Sequence, residues 1–211
     1  MAKLEHLSKT YGKRVILDDV SLEINPGEAV GILGLNGTGK STMLNLIAEH
    51  FTKSGEISCG LVPQENPLFD ELKPIDNIRM WTPLKKAEIL ERLSSPMLKI
   101  LGIEDFLDRP AGKMSGGMKK RLSLATVLIN HPELLLLDEP FAALDLPAKH
   151  DMLDFMATFT KAGGAIIVVS HEEEIFDFCN RVYILSDAKL HDAAELSRKG
   201  ISYTDILRRG L

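Results

Sequence analysis

Cysteine is nearly absent: Cys59 and Cys179 are the only two in 211 residues, and they lie far apart in the chain. That usage excludes a disulfide framework and predicts a reducing, cytoplasmic setting. Long apolar runs are missing as well. No stretch approaches the ~18–20 residues that cross a bilayer. The opening Met1-Ala2-Lys3-Leu4-Glu5-His6 has neither the apolar stretch nor the small-residue cleavage site of a signal peptide. Positive charge is not in excess, since 25 Lys and Arg face 30 Asp and Glu for a net charge of −5. That balance argues against nucleic acid as a partner. Internal repeats and low-complexity linkers are also lacking. What remains is ordinary for a globular chain, 45% hydrophobic and 26% charged, with a length that suits one sizeable domain and a small lobe.

Patterning supplies the class. Val15-Ile16-Leu17 leads into an alternation of Val20, Leu22 and Ile24 with Ser21 and Glu23, the pattern of a half-buried strand. Asn25-Pro26-Gly27 turns the chain, and Ala29 to Leu33 reads as a buried strand. A glycine-rich loop and a helix carrying Met43, Leu44, Leu46 and Ile47 follow, then a short strand expected from Gly55 to Val62. Short helices are expected next: Ile89, Leu90 and Leu93 share a face in one, and another runs from Pro96 to Gly102. After Ser115 a helix places Met118, Leu122, Ala125 and Ile129 on one stripe, with Lys119-Lys120-Arg121 read as its solvated face. Leu134 to Leu137 is a buried parallel strand by pattern. Met152, Phe155, Met156 and Phe159 mark a helix core face, Ala165 to Val169 and Val182 to Leu185 further strands, and a short helical tail closes the order. Alternating strands and helices predict an α/β fold with an inserted helical lobe near 66–114.

Chemistry concentrates in a few segments. Gly34-Leu35-Asn36-Gly37-Thr38-Gly39-Lys40-Ser41 follows a strand and opens a helix, as a phosphate-binding loop must. Its glycines let backbone N–H groups turn inward on phosphate oxygens, Lys40 neutralises phosphate charge, and Ser41 offers a magnesium ligand. Asp138-Glu139 ends the leucine strand, where α/β sheets place ligand-handling groups. The pair is either a polar exit from the core or, beside the loop, a magnesium aspartate with a general base. Ser115-Gly116-Gly117 is either an anion site or a serine-capped helix start. His171 ends another strand, and Gln64 ends the strand before the insert. His6, His50, His131, His150 and His191 have no metal-ligand spacing.

In this order the segments resemble the ATP-binding subunit of ABC transporters, over about Leu4 to Leu185. The resemblance implies an α/β P-loop NTPase core with a mainly parallel sheet, a small antiparallel β-subdomain and an inserted helical lobe. The β-subdomain and core would take about 1–65 and 115–211, and the helical signature subdomain about 66–130. ATP and Mg2+ are the implied cofactors. Tyr11 matches the aromatic that stacks on adenine. Gly34, Asn36, Gly37, Thr38, Gly39, Lys40, Ser41 and Thr42 match the phosphate loop. Gln64 and Asp138, with Ser41, match the magnesium ligands, and Glu139 and His171 the catalytic base and the γ-phosphate contact. Ser115 and Gly117, within Met114-Ser115-Gly116-Gly117-Met118, match the signature that reaches a facing subunit's nucleotide. Ala143-Leu144-Asp145 resembles the loop crossing that interface.

Departures accompany the match. Met114 and Met118 stand where the signature usually has leucine and glutamine, and Met118 followed by basic residues resembles the drug and lipid exporter variant. Ala142 replaces the serine usual before Ala-Leu-Asp, and the short span from Lys40 to Gln64 implies a trimmed β-subdomain. The implied protein is a cytoplasmic ATPase, peripheral on the inner face of the cell membrane. It would dimerise with itself or a related subunit and bind a separate permease through the helical lobe. Leu68, Phe69, Leu72 and Trp81 are then either lobe core or the permease-docking surface. Two rivals are a soluble ABC ATPase of cofactor assembly and a small-molecule phosphotransferase. The second would leave the signature, Glu139 and His171 without roles.

Overall fold

The computed structural model describes residues 2–142, 144–172 and 175–201. Ala143 of the expected interface loop and the last residues of the expected core, 202–211, lie outside the described residues. The chain opens with strands β1 (Ala2–Tyr11), β2 (Arg14–Ile24) and β3 (Ala29–Leu33), then helix α1 (Lys40–Ser54) and strand β4 (Cys59–Val62). Helices α2 (Pro74–Arg79), α3 (Lys86–Leu93), α4 (Pro96–Lys99) and α5 (Gly116–Leu128) follow, with 3-10 turns at Ile103–Phe106 and Ala111–Lys113. Next come β5 (Leu134–Asp138), α6 (Leu146–Lys161), β6 (Ala165–Ser170), α7 (Ile175–Phe178), β7 (Arg181–Ser186), β8 (Lys189–Asp192) and α8 (Ala193–Arg198).

Among the described residues, β1 and β2 form an antiparallel pair by themselves, and the other strands form a sheet in the order β4-β5-β6-β3-β7-β8. Neighbours in that sheet are parallel except β7 and β8. The leucine run of β5 shows how the sheet is covered. Leu134 and Leu136 enter a core with Met43, Leu44 and Ile47 of α1 and with Leu4 and Leu22 of the β1–β2 pair. Leu135 and Leu137 point the other way, into a core with Leu122 and Ala125 of α5, Met152 and Phe155 of α6, and Ile78 and Ile89. A strand buried on both faces needs apolar residues at every position, which is why these strands read as continuous runs.

Four expectations are corrected. Gly55 belongs to no strand: it ends α1 with φ 67°, its N–H donating to the Phe51 carbonyl at 2.9 Å, as a glycine C-cap does. β4 begins only at Cys59. Leu90 is 37% exposed and leaves the face shared by the buried Ile89 and Leu93. Lys120 is not solvated but 4% exposed. The tail also gains a strand, β8, before its helix. The β1–β2 pair stands as the small antiparallel β-subdomain, with only α1 and β4 between the glycine-rich loop and Gln64.

Candidate nucleotide site

The C-terminal ends of β3, β5 and β6 converge at one edge of the sheet, where α/β folds expose ligand-handling groups. From β3 the chain runs through Gly34–Gly39 into α1. Gly37 and Gly39 take φ of 81° and 110°, the left-handed region that glycine enters without steric cost. At Gly39 a Cβ would come within 2.5 Å of Ile16 Cγ2, so the loop needs glycine there twice over. A cleft of about 420 Å3 opens above it, bordered by Tyr11, Asn36, Ser41, Thr42, Gln64 and Glu139 among others. Tyr11 forms its lip, 58% exposed, with Lys9 Nζ 5.4 Å from the ring centroid. It is not part of the β-subdomain core.

Lys40 lies buried on the cleft floor. Its Nζ donates to the Gly34 and Leu35 carbonyls at 2.8 and 3.3 Å and sits 3.3 Å from Glu139 Oε1. Glu139 adopts φ 45°, a conformation costing a non-glycine residue about 1–2 kcal/mol. Its backbone N–H donates to the Val169 carbonyl at 2.9 Å. Its Oε2 accepts from Ser170 Oγ at 3.2 Å and the His171 N–H at 3.3 Å, and lies 2.9 Å from His171 Nδ1. β5 and β6 thus bring the acid and the histidine together directly. The same strand end carries Asp138, whose carboxyl accepts from Ser41 and whose Oδ1 is buried without a hydrogen-bond partner. Burial first, and then the charge of Glu139, raises its pKa, while Ser41, Lys40 and Lys120 pull the other way.

Other candidate residues fall elsewhere. Ser115 caps α5, its Oγ accepting from the Met118 N–H at 3.3 Å, and Asp145 caps α6 by accepting from the Ala148 N–H at 3.0 Å. Ser115, Gly117 and Asp145 do not border the cleft of their own chain. Thr38 Oγ1 donates back to the Leu35 carbonyl and stiffens the loop. Two groups escaped the sequence reading. Arg14 Nη2 donates to the Gly37 carbonyl at 2.9 Å, and the signal was the Gly12-Lys13 turn that pairs Arg14 with Tyr11. Lys120 Nζ donates to the Pro63 carbonyl at 3.2 Å. Burial pushes its pKa down to about 8, against the opposing pull of Asp138 and Glu139. Its signal was the i, i+4, i+8 series with the buried Leu124 and Leu128.

A family model described as ABC transporter matches residues 17–142. The chain belongs to the ABC transporter family. Its sequence is 35% identical over 208 residues to the spermidine/putrescine import ATP-binding protein PotA of Bacteroides thetaiotaomicron. That match covers 89% of this chain but only 45% of PotA. The lantibiotic transport ATP-binding protein SrtF of Streptococcus pyogenes is 33% identical, with 87% of each chain covered. Among solved structures, a dimeric post-hydrolysis state of the ATP-binding cassette MJ0796 bound to ADP and Pi superposes with a TM-score of 0.75. It shares 27% identity over 90% of this chain and 97% of that one.

Proposed function

We propose that this chain binds and hydrolyses ATP and so powers transport through a separate membrane permease, closing over nucleotide as a dimer with itself or a related subunit. The observation that carries the proposal is that Lys40, Ser41 and Glu139 border one cleft, with Asp138 hydrogen-bonded to Ser41 and His171 against Glu139. Tyr11 offers a face on which adenine stacks. The N–H groups of Gly34–Thr42 and the start of α1 cradle phosphate oxygens, and Lys40 neutralises their charge once it leaves the Gly34 and Leu35 carbonyls. Glu139 accepts the proton of the attacking water, and His171, on the same carboxylate, orients it toward the γ-phosphate. The partnerless Asp138 Oδ1, beside the Ser41 hydroxyl, fits a cation. Ser41, Asp138 and Gln64 would hold Mg2+, which when bound neutralises charge on the phosphate oxygens.

Ser115, Gly117 and Asp145 stand apart from their own cleft, as residues serving a facing subunit's nucleotide would. The dimeric cassette among the structural neighbours supports that reading. The helical segment about 66–130 acts as the signature lobe, and about 1–65 and 115–211 as the β-subdomain and core. Phe69, Met80 and Trp81 are 44%, 58% and 49% exposed, and Trp81 borders an apolar groove with Pro67 and Val127. That surface is the docking place for the permease, and docking holds the subunit on the cytoplasmic face of the membrane. No helix among the described residues is long and apolar enough to cross it.

Glu139→Gln tests the proposal. The amide keeps the shape and the reach to Ser170 but loses the base, so ATP binding survives and hydrolysis falls by about two to four orders of magnitude. Light scattering should then find a dimer with ATP and a monomer with ADP. Near-normal hydrolysis by this variant would remove Glu139 as the base.

A further inference from the structure

Lys120 occupies the second turn of α5, with its ammonium enclosed by protein. Its Nζ donates to the Pro63 carbonyl at 3.2 Å and reaches the Gln64 carbonyl at 3.5 Å. The preceding residue grips the same connection further on, with Lys119 Nζ 2.9 Å from Asp70 Oδ1. Burying a cation costs several kcal/mol, and an apolar side chain of similar volume usually serves stability as well or better. Packing alone therefore gives no reason for a lysine at this place. An apolar residue could neither hold two backbone carbonyls of the segment leaving β4 nor carry the charge that Asp138 and Glu139 favour, and of these only the carbonyls lie within hydrogen-bond distance of Nζ.

We infer that Lys120 is a positioning residue that ties the Pro63–Gln64 segment to α5. The inference rests on the proposed role of Gln64 in the cleft. One helix then serves two places: its N-terminal cap, Ser115, faces the second subunit's nucleotide, and its second turn holds the segment that presents Gln64 to its own. Displacement of α5 on closing of the dimer is passed to Gln64 through these hydrogen bonds, without a contact between Lys120 and the nucleotide.

Lys120→Met, Lys120→Arg, Gln64→Ala and the Lys120→Met/Gln64→Ala double variant test this on the full chain. Readouts are backbone amide exchange and steady-state ATP hydrolysis. Lys120→Met should fold, with faster exchange over 62–66 and unchanged exchange over 34–42. Its kcat should fall on the order of tenfold, the scale of one lost charge-assisted hydrogen bond, while KM for ATP stays within about twofold. Lys120→Arg, which keeps cationic donors, should restore both, and the double variant should be no slower than Gln64→Ala. If the methionine variant does not fold, Lys120→Gln replaces it in each comparison. Unchanged exchange over 62–66 overturns the tether. Faster exchange with wild-type kcat, or losses that multiply in the double variant, overturns the positioning role. Wild-type kcat in Gln64→Ala would instead overturn the reading of Gln64, and the exchange measurement would still decide the tether.

Discussion

On the floor of the cleft, Lys40 and Glu139 face each other at 3.3 Å, both side chains 6% exposed. A carboxylate so enclosed depends on its partners, and Glu139 has Ser170 and His171 besides Lys40. Lys40→Ala should therefore have two separable effects. Hydrolysis falls by about two to three orders of magnitude, as for loss of one fixed charge at a reacting oxyanion. Stability falls by roughly 1–3 kcal/mol, because the buried Glu139 side chain loses its cationic partner. Adding Glu139→Gln should recover part of that stability and none of the activity, which denaturation of the single and double variants would check. A melting point for Lys40→Ala equal to wild type would remove the pairing. Lys40 and Glu139 were legible in the sequence because their chemistry comes with fixed neighbours, a glycine loop and a strand end. For Lys120 and Arg14 the sequence offered only position, a helix stripe and a tight turn, because their backbone-carbonyl partners leave no mark on residue type.

Elements show the same division. Strands β3, β5 and β6 were readable because burial on both faces demands unbroken apolar runs. β8 was not, since Lys189-Leu190-His191-Asp192 is polar and short and gains its order only from pairing with β7. What ties the start of β7 to β2 and β3 was also hidden. Arg181 Nε lies 2.5 Å from Glu28 Oε1, and its Nη2 donates to the Glu23 carbonyl, so one side chain links all three elements. Partial burial works to raise the pKa of Glu28, but Arg181 and the Asn25 N–H and side chain outweigh it and hold the carboxyl below 4.5. A depressed carboxyl contributes stability above its unfolded pKa and loses it as pH falls through the folded value. Glu28→Gln should be less stable than wild type at pH 7, and the gap should narrow as pH drops below about 4.5. Urea denaturation at neutral pH and near pH 3 measures both gaps. A constant difference would mean that the pair does not carry the linkage.

At the scale of the molecule, the nucleotide cleft lies at the strand ends of the sheet, and the exposed aromatics lie in the segment inserted between β4 and β5, on the stretches that flank α2. The sequence left Phe69 and Trp81 between lobe core and docking surface, because hydrophobicity does not say which side of a small lobe a residue takes. Both are exposed, yet the backbone of each is held by hydrogen bonds. The buried Asn77 accepts from the Phe69 N–H at 2.8 Å and donates to the Phe69 and Leu72 carbonyls. Asn130, just past α5, donates to the Trp81 carbonyl at 3.3 Å. A rigid aromatic presented to solvent is the form that binding hot spots take, since little entropy is lost when a partner covers it. Asn130 keeps Trp81 near the C-terminal end of α5, whereas Phe69 lies nearer the start of that helix, where the next residue, Asp70, meets Lys119. Phe69→Asp and Trp81→Asp should each weaken capture by the cognate permease roughly tenfold or more. ATP affinity should stay at wild type, because neither residue borders the cleft. Co-purification with a co-expressed candidate permease, with nucleotide binding measured in parallel, separates the cases. Loss of both capture and ATP binding would point to a collapsed lobe, and undiminished capture would deny these aromatics a docking role.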